Sequence, residues 1–285
     1  MLDILKGPQT WLMEDELYRR FCALVHEATG LSFSENSRFF FEKRVQMRMA
    51  AVGLATAREY YQYLLYDSER AAEWDQLITH ITTNETYFMR EERQLRCFQK
   101  EVMPLVWERN AGKRIRIWSA GCSTGEEAYT IAILLREAGL YPEDRVEIIA
   151  TDINTRVLAK AKSALYSEAA FRAVDSSFRE QWFEPEGAGQ FRLREEIRRR
   201  VAFSRFNLFD MDKYNLLLPF DVIFCRNVII YFDLEAKVKV MERFHDKMRP
   251  GGFLLLGHSE SLISVTDRFK LIHLPTDLVY TKEAP

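Results

Sequence analysis

Apolar positions in the first part of the chain, to about residue 75, recur with helical spacing. Leu17, Phe21, Leu24, Val25 and Ala28 share one face of a helix over 16–28, and Gly30 is its stop. A second helix begins near Glu35, with Phe41, Val45 and Met49 spaced four apart, and a third carries Tyr60 to Tyr66. A further helix runs to about residue 110, with Pro104 placed to break it. From Ile115 the period changes. Runs at 115–118, 146–152, 220–227 and 253–256 read as buried strands of a parallel sheet. Helical patterns stand between them, as in Ala128, Ile131, Ala132 and Leu135, and again over 234–248. Near 165–200 the rhythm is interrupted, and Phe191-Arg192-Leu193-Arg194 alternates as an antiparallel strand does. Pro250-Gly251-Gly252 reads as a turn, and the segment around Pro275 as a terminal antiparallel hairpin. The expected architecture is α/β: a helical domain over 1–80, a linker and connecting helix over 81–112, and a doubly wound, Rossmann-like domain over 113–285 with a small β insertion near 165–200.

The most informative polar break follows the first strand. Ser119-Ala120-Gly121-Cys122-Ser123-Thr124-Gly125 leads straight into a helix whose first turn holds Glu126 and Glu127. Glycine permits a backbone approach that a Cβ would block, and the N–H groups of the new helix point into the same space. That is where a doubly wound sheet binds a nucleotide-type ligand. A phosphate loop would add a lysine or the G-x-G-x-x-G pattern, and this stretch has neither. Two acids repel phosphate and suit hydroxyls or positive charge. The plainer reading is a turn whose acids only satisfy the helix dipole. The next strand ends in Asp152, placed either to accept hydrogen bonds from ribose hydroxyls or to cap the helix after it.

Composition acts mainly by exclusion. The 285 residues are 47% hydrophobic, enough for a core and a smaller second domain. With 40 basic and 42 acidic residues the net charge is −2, so no global attraction to nucleic acid is expected. No apolar run has the length of a membrane span, and the start of the chain lacks a signal-peptide pattern. Cys22, Cys97, Cys122 and Cys225 stand singly, which fits a reduced, cytoplasmic protein. The five histidines show no metal-ligand spacing. Arg44 and Arg48 share a stripe of the second helix with Arg38 and Lys43 near by, either a solvated face or a docking surface for an acidic partner. Neither a Ser-His-Asp arrangement nor a catalytic pair of carboxylates emerges, and His258 reads as structural.

Four stretches carry a more specific resemblance. Thr82-Thr83-Asn84-Glu85-Thr86-Tyr87-Phe88-Met89-Arg90-Glu91, Ser119 to Glu127, Cys225-Arg226-Asn227-Val228-Ile229-Ile230-Tyr231-Phe232 and Gly257-His258-Ser259-Glu260 are similar, in this order, to motifs of the CheR family. These are chemotaxis receptor glutamate O-methyltransferases that use S-adenosylmethionine. The resemblance covers nearly the whole chain. It implies a Rossmann-like methyltransferase sheet with an N-terminal all-helical domain and a small antiparallel β insertion. It implies methyl transfer to receptor glutamate carboxylates, leaving methyl esters and S-adenosylhomocysteine, without a metal. Asn84, Thr86 and Arg90 would contact the methionine end of the cofactor or guard the transferred methyl, and Gly121 would lie in the cofactor loop. Glu127 and Asp152 would bind polar parts of the cofactor, Asp152 at the ribose. Asn207 and Leu208 would frame the adenine, and Arg226, Asn227 and Tyr231 would line the transfer site. Arg90 and Tyr231 are the expected catalytic pair, orienting the incoming carboxylate. Met89 stands where the family often has Phe.

The implied partner is the cytoplasmic helical bundle of methyl-accepting receptors, met by a monomer through Arg38, Arg44 and Arg48, with no membrane insertion and no nucleic acid. Some relatives grip a receptor tail with the β insertion, and the turn Gly187-Ala188-Gly189 looks short for that purpose. Two other readings stand beside this one: a methyltransferase of the same fold acting on another protein or a small molecule, and an S-adenosylmethionine-responsive interaction module without turnover.

Overall fold

The helical spacing at the start of the chain produces α1 (Asp15–Thr29), α2 (Arg38–Ala51), α3 (Ala57–Tyr66) and α4 (Arg70–Ile81). The computed structural model describes residues 13–139, 142 and 145–284, and the chain divides between Thr82 and Thr83 into two compact units. In the first unit α1 ends at Gly30, whose left-handed φ of 73° turns its N–H back to the His26 carbonyl. α3 opens with a reciprocal cap between Thr56 and Glu59. Phe21, Val25, Phe41, Val45, Tyr60 and Leu77 form the core between these helices.

Two acids lie inside that helical core, and two arginines of α2 answer them. Glu73 is only 4% exposed, and Arg48 meets it with two nitrogens, at 2.9 and 2.6 Å. The Tyr60 hydroxyl donates to the same carboxylate at 2.6 Å. Arg38 donates to the buried Glu42 at 2.9 Å, to Asp15 at 2.7 Å and to the Met13 carbonyl at 2.6 Å. Arg44 instead lies over the ring of Phe40, 4.4 Å from its centre. Phe39 and Met47, near it on α2, are exposed.

The second unit begins with α5 (Glu92–Cys97) and α6 (Met103–Arg109), joined by a π-helical turn over Phe98–Val102. The expected break at Pro104 is therefore a widening: the helix loosens by one turn just ahead of the residue that lacks an N–H and crowds the preceding turn. Then follow β1 (Ile115–Ala120), α7 (Glu126–Glu137), β2 (Val146–Asp152) and α8 (Thr155–Ser163). The insertion comprises β3 (Leu165–Ser167), α9 (Ser176–Trp182), β4 (Phe183–Pro185), β5 (Gln190–Leu193) and α10 (Glu195–Arg198), with its three strands antiparallel in the order β3-β5-β4. The main chain of the fold resumes with β6 (Val201–Arg205), β7 (Phe220–Cys225), α11 (Leu234–Lys247), β8 (Met248–Leu256), β9 (Lys270–His273) and β10 (Leu278–Thr281).

The large sheet has the order β6-β2-β1-β7-β8-β10-β9. Its first five strands are parallel, and the last hairpin is antiparallel. β1 and β7 are buried along nearly their whole length, as strands covered on both faces must be. The chain moves outward from β1 first to β2 and later to β7. The crevice at the carboxyl ends of β1 and β7 is therefore the topological switch point.

Pro250-Gly251-Gly252 lies inside β8 rather than in a turn before it. Phe220 pairs with Met248 and Val222 with Phe253, so β8 carries extra residues as a bulge. Gly251, at φ 73°, makes that bulge, and the N–H of Gly251 and the carbonyl of Gly252 bond to Lys282 beyond β10. A glycine-rich run can thus stay in a strand. No helix among the described residues is long and apolar enough to cross a membrane.

Candidate active site

The loop after β1 is shaped by what its glycines allow. Gly121 has φ 87°, and a Cβ there would come within 2.5 Å of a Val228 methyl. Gly125 has φ 93°, and a Cβ there would crowd Ala161, Tyr166 and Phe203. The N–H groups of Gly121 and Cys122 both bond to the Thr151 carbonyl, at 2.8 and 2.9 Å, so the loop starts as a continuation of the β1–β2 ladder. Asp152 completes this junction. One of its oxygens accepts the Ser123 N–H at 2.8 Å and the other the Asn154 N–H at 2.9 Å. The cap of α8 is Asn154, whose side chain accepts from Arg156 and Val157. Asp152 therefore ties β2 to the loop, and a carboxylate with two bonds made keeps acceptor capacity for hydroxyls.

Three acids gather here. Glu126 is buried and takes a hydrogen bond from Thr124 at 2.6 Å. Glu127 takes one from Ser119 at 2.7 Å and one from Arg226 at 3.2 Å. Burial pushes the carboxyls of Glu126, Glu127 and Asp152 above the usual range; the Arg226 charge opposes this at Glu127, and backbone N–H groups oppose it at Asp152. Such a cluster favours a cation or a set of hydroxyls over an anion. β6 ends next to Asp152, where the Phe206 N–H bonds to the Asp152 carbonyl at 3.0 Å. Asn207 follows, folding its side chain onto the Phe209 N–H at 3.0 Å, and Leu208 is buried beside it.

At the end of β7 the Arg226 guanidinium is enclosed, with 2% of its side chain exposed. It bridges Glu127 and Glu91, the latter at 3.1 Å, and donates to the carbonyl of Arg90 at 2.6 Å. Asn227 has a positive φ of 59° and donates through its side chain to Glu91 at 3.3 Å. The next residues are held by Glu260, whose carboxylate accepts the N–H groups of Asn227, Val228, Ile230 and Gly257 at 2.7, 2.9, 3.3 and 2.7 Å. Tyr231 stands at the end of this short turn (Ile229–Tyr231), half-buried. Its hydroxyl makes no hydrogen bond among the described residues.

The segment before α5 reaches the same place. Phe88 anchors it, buried among Tyr166, Phe171 and Phe183, with its N–H on the Ala170 carbonyl. Asn84 and Thr86 lie half-buried upstream of that anchor. Met89 is buried, with φ 59°. Arg90 points its guanidinium at the Glu85 carbonyl, 2.6 Å away, and sits 5.7 Å from the Tyr87 ring centre. Arg90, Gly121, Glu127, Asp152, Arg226 and Asn227 thus belong to linked segments at one sheet edge, and Asn207 and Leu208 follow the neighbouring strand end. Arg38, Arg44 and Arg48 belong to the first unit.

Residues 84–278 match the family described as CheR methyltransferase, SAM binding domain, and residues 16–82 match CheR methyltransferase, all-alpha domain. The chain belongs to the CheR methyltransferase family. Chemotaxis protein methyltransferase 2 of Vibrio cholerae is 35% identical over 259 residues, which cover 90% of each chain. Chemotaxis protein methyltransferase of Salmonella typhimurium is 34% identical over 275 residues, covering 94% of this chain and 91% of that one. This CheR methyltransferase therefore carries an S-adenosylmethionine-binding domain, and the edge described above fits that group. That group bears a sulfonium, an ammonium and two ribose hydroxyls, and the acids at hand for them are Glu127 and Asp152.

The sequence reading passed over two residues of this CheR site, Glu91 and Glu260. Both stand inside the recognised motifs. Neither carries a local signal of its role, since their partners are mostly backbone N–H groups and side chains of distant segments.

Proposed function

We propose that this chain transfers the methyl group of S-adenosylmethionine to glutamate side chains of chemotaxis receptors, forming glutamate methyl esters. The observation that carries the reading is the cluster of acids after β1, at the β1–β7 switch point, with Arg90 and Tyr231 on the two segments beside it. Bound S-adenosylmethionine supplies a methyl on a positively charged sulfur, already activated toward a nucleophile. Glu127, Asp152, Asn207 and Leu208 would hold its polar and adenine parts, with Gly121 in the loop between them. Asn84, Thr86, Arg226 and Asn227 border the methionine end. A substrate glutamate, with an ordinary pKa of about 4.3, is ionised near neutral pH, so the protein does not have to remove a proton. Its task is alignment and exclusion of water. Arg90 and Tyr231 orient the incoming carboxylate; the Arg90 guanidinium donates to the Glu85 carbonyl and keeps further N–H groups for it.

The receptor meets the first unit at the exposed part of α2. Arg38 and Arg48 are committed to Glu42 and Glu73, which leaves Arg44, with Lys43, Phe39 and Phe40 beside it, as the docking group of the three. The test is transfer of labelled methyl to a receptor cytoplasmic fragment, followed by alkaline release as methanol. Base-labile label that requires the substrate glutamates is expected, and it should fall sharply in Arg90→Ala and in Tyr231→Phe. Cofactor binding without label on any of several receptor fragments would overturn the substrate; full turnover in both variants would overturn the residue roles.

A further inference from the structure

Glu91 holds an unfavourable backbone. Its φ and ψ are both 55°, left-handed for a residue with a Cβ, and Met89 two positions earlier is also at positive φ. Such a conformation costs about 1 kcal/mol or more per residue and persists only where surrounding contacts fix it. The contacts are on the side chain. One Glu91 oxygen accepts from Arg226 at 3.1 Å and from the His258 backbone N–H at 3.1 Å. The other accepts from the Asn227 amide at 3.3 Å. The Arg226 nitrogen that reaches Glu91 also donates to the Arg90 carbonyl. One guanidinium nitrogen is thus held by a carbonyl and a carboxylate of adjacent residues, while another nitrogen holds Glu127.

We propose that Glu91 is the positioning residue of the transfer site: it fixes the backbone of Arg90 against the ends of β7 and β8, and through Arg226 registers it to the cofactor acid Glu127. This rests on the reading of Arg90 and Glu127 given above. The role requires a carboxylate rather than an amide. Three donors, one of them cationic, converge on two oxygens. A glutamine would turn an NH2 toward a donor and leave Arg226 with Glu127 as its one countercharge. The acid side chain is suited to it: burial works against its ionisation, but the Arg226 charge and the hydrogen bonds from Asn227 and Arg226 outweigh that and hold its carboxyl below the usual range.

The experiment uses full-length Glu91→Gln, with competent sites counted by calorimetric titration with S-adenosylhomocysteine. Full stoichiometry of binding is expected, with kcat per binding site down about 100-fold, the cost of misplacing a reacting group by roughly 1 Å. A merely structural role would lower the number of sites and leave kcat per site unchanged. Glu91→Asp, which keeps the charge on a shorter stem, should recover part of the loss. A second readout needs no substrate. Residue-resolved amide exchange should accelerate at His258 in Glu91→Gln and hold steady at Val228 and Gly257, whose N–H groups rest on Glu260. Unchanged kcat per site, or unchanged exchange at His258, overturns the proposal. If the wild type methylates no receptor fragment, the proposed reaction falls instead, and the exchange readout still decides the role of Glu91.

Discussion

Gly121 meets a backbone constraint and a steric one at the same atom. Its φ of 87° disfavours any L side chain, and the space a Cβ would take is filled by Val228. Gly121→Ala should cost about 1–3 kcal/mol of stability, the usual range for overpacking, and weaken cofactor binding because the loop must shift. Thermal denaturation and calorimetry with S-adenosylhomocysteine measure the two effects separately. Wild-type affinity in the alanine variant would mean that this loop is not part of the cofactor site. The glycine, its two following acids and Asp152 were legible from sequence because their spacing is local to a strand–turn–helix unit. Glu91 and Glu260 were not, since Glu260 acts mainly on backbone N–H groups about 30 residues away and Glu91 acts mainly across more than 130.

On α2, neighbouring residues of the same type do different work. Arg48 neutralises a buried acid, and removing one member of such a pair leaves an uncompensated charge inside the helical unit. Arg48→Ala should therefore destabilise by about 3–5 kcal/mol. Arg44→Glu should leave stability nearly unchanged and raise the apparent KM for a receptor fragment, with cofactor affinity intact. Circular dichroism melts and initial-rate kinetics on both variants check the contrast; unchanged kinetics in Arg44→Glu would remove α2 from the docking surface. Spacing along a helix could reveal the stripe but not this division, because Glu73, which captures Arg48, lies on another helix 25 residues on. The same limit explains the bulge in β8. Pro250-Gly251-Gly252 has turn composition, and what keeps it in the sheet is pairing with Lys282 at the far end of the chain. Pro104 is a milder case, since the helix accommodates it by widening locally.

At the scale of the whole chain, the period change at Ile115 marks a helical part followed by a parallel sheet, and the apolar runs around Pro275 mark its antiparallel end. The carboxyl edge of that sheet concentrates acids whose protons are held more tightly than in an unfolded chain. Their contribution to folding is present at low pH and is lost as the pH rises from the ordinary carboxylate value through the raised one. A cationic ligand reverses the preference, since it favours the ionised acids. The rise in melting temperature caused by S-adenosylmethionine should therefore be larger at pH 7.5 than at pH 5, and scanning calorimetry at both values tests it; equal shifts would mean that these acids do not face the ligand. The long reach of Glu91 has one more consequence, in the order of synthesis. Chains emerge amino end first, and His258 leaves the ribosome 167 residues after Glu91. A nascent or prematurely terminated chain can hold the complete loop after β1 and still lack the strand end that locks Arg90 in place. Such fragments would be silent rather than misdirected, because the last parallel strand to be made is the one that closes the site.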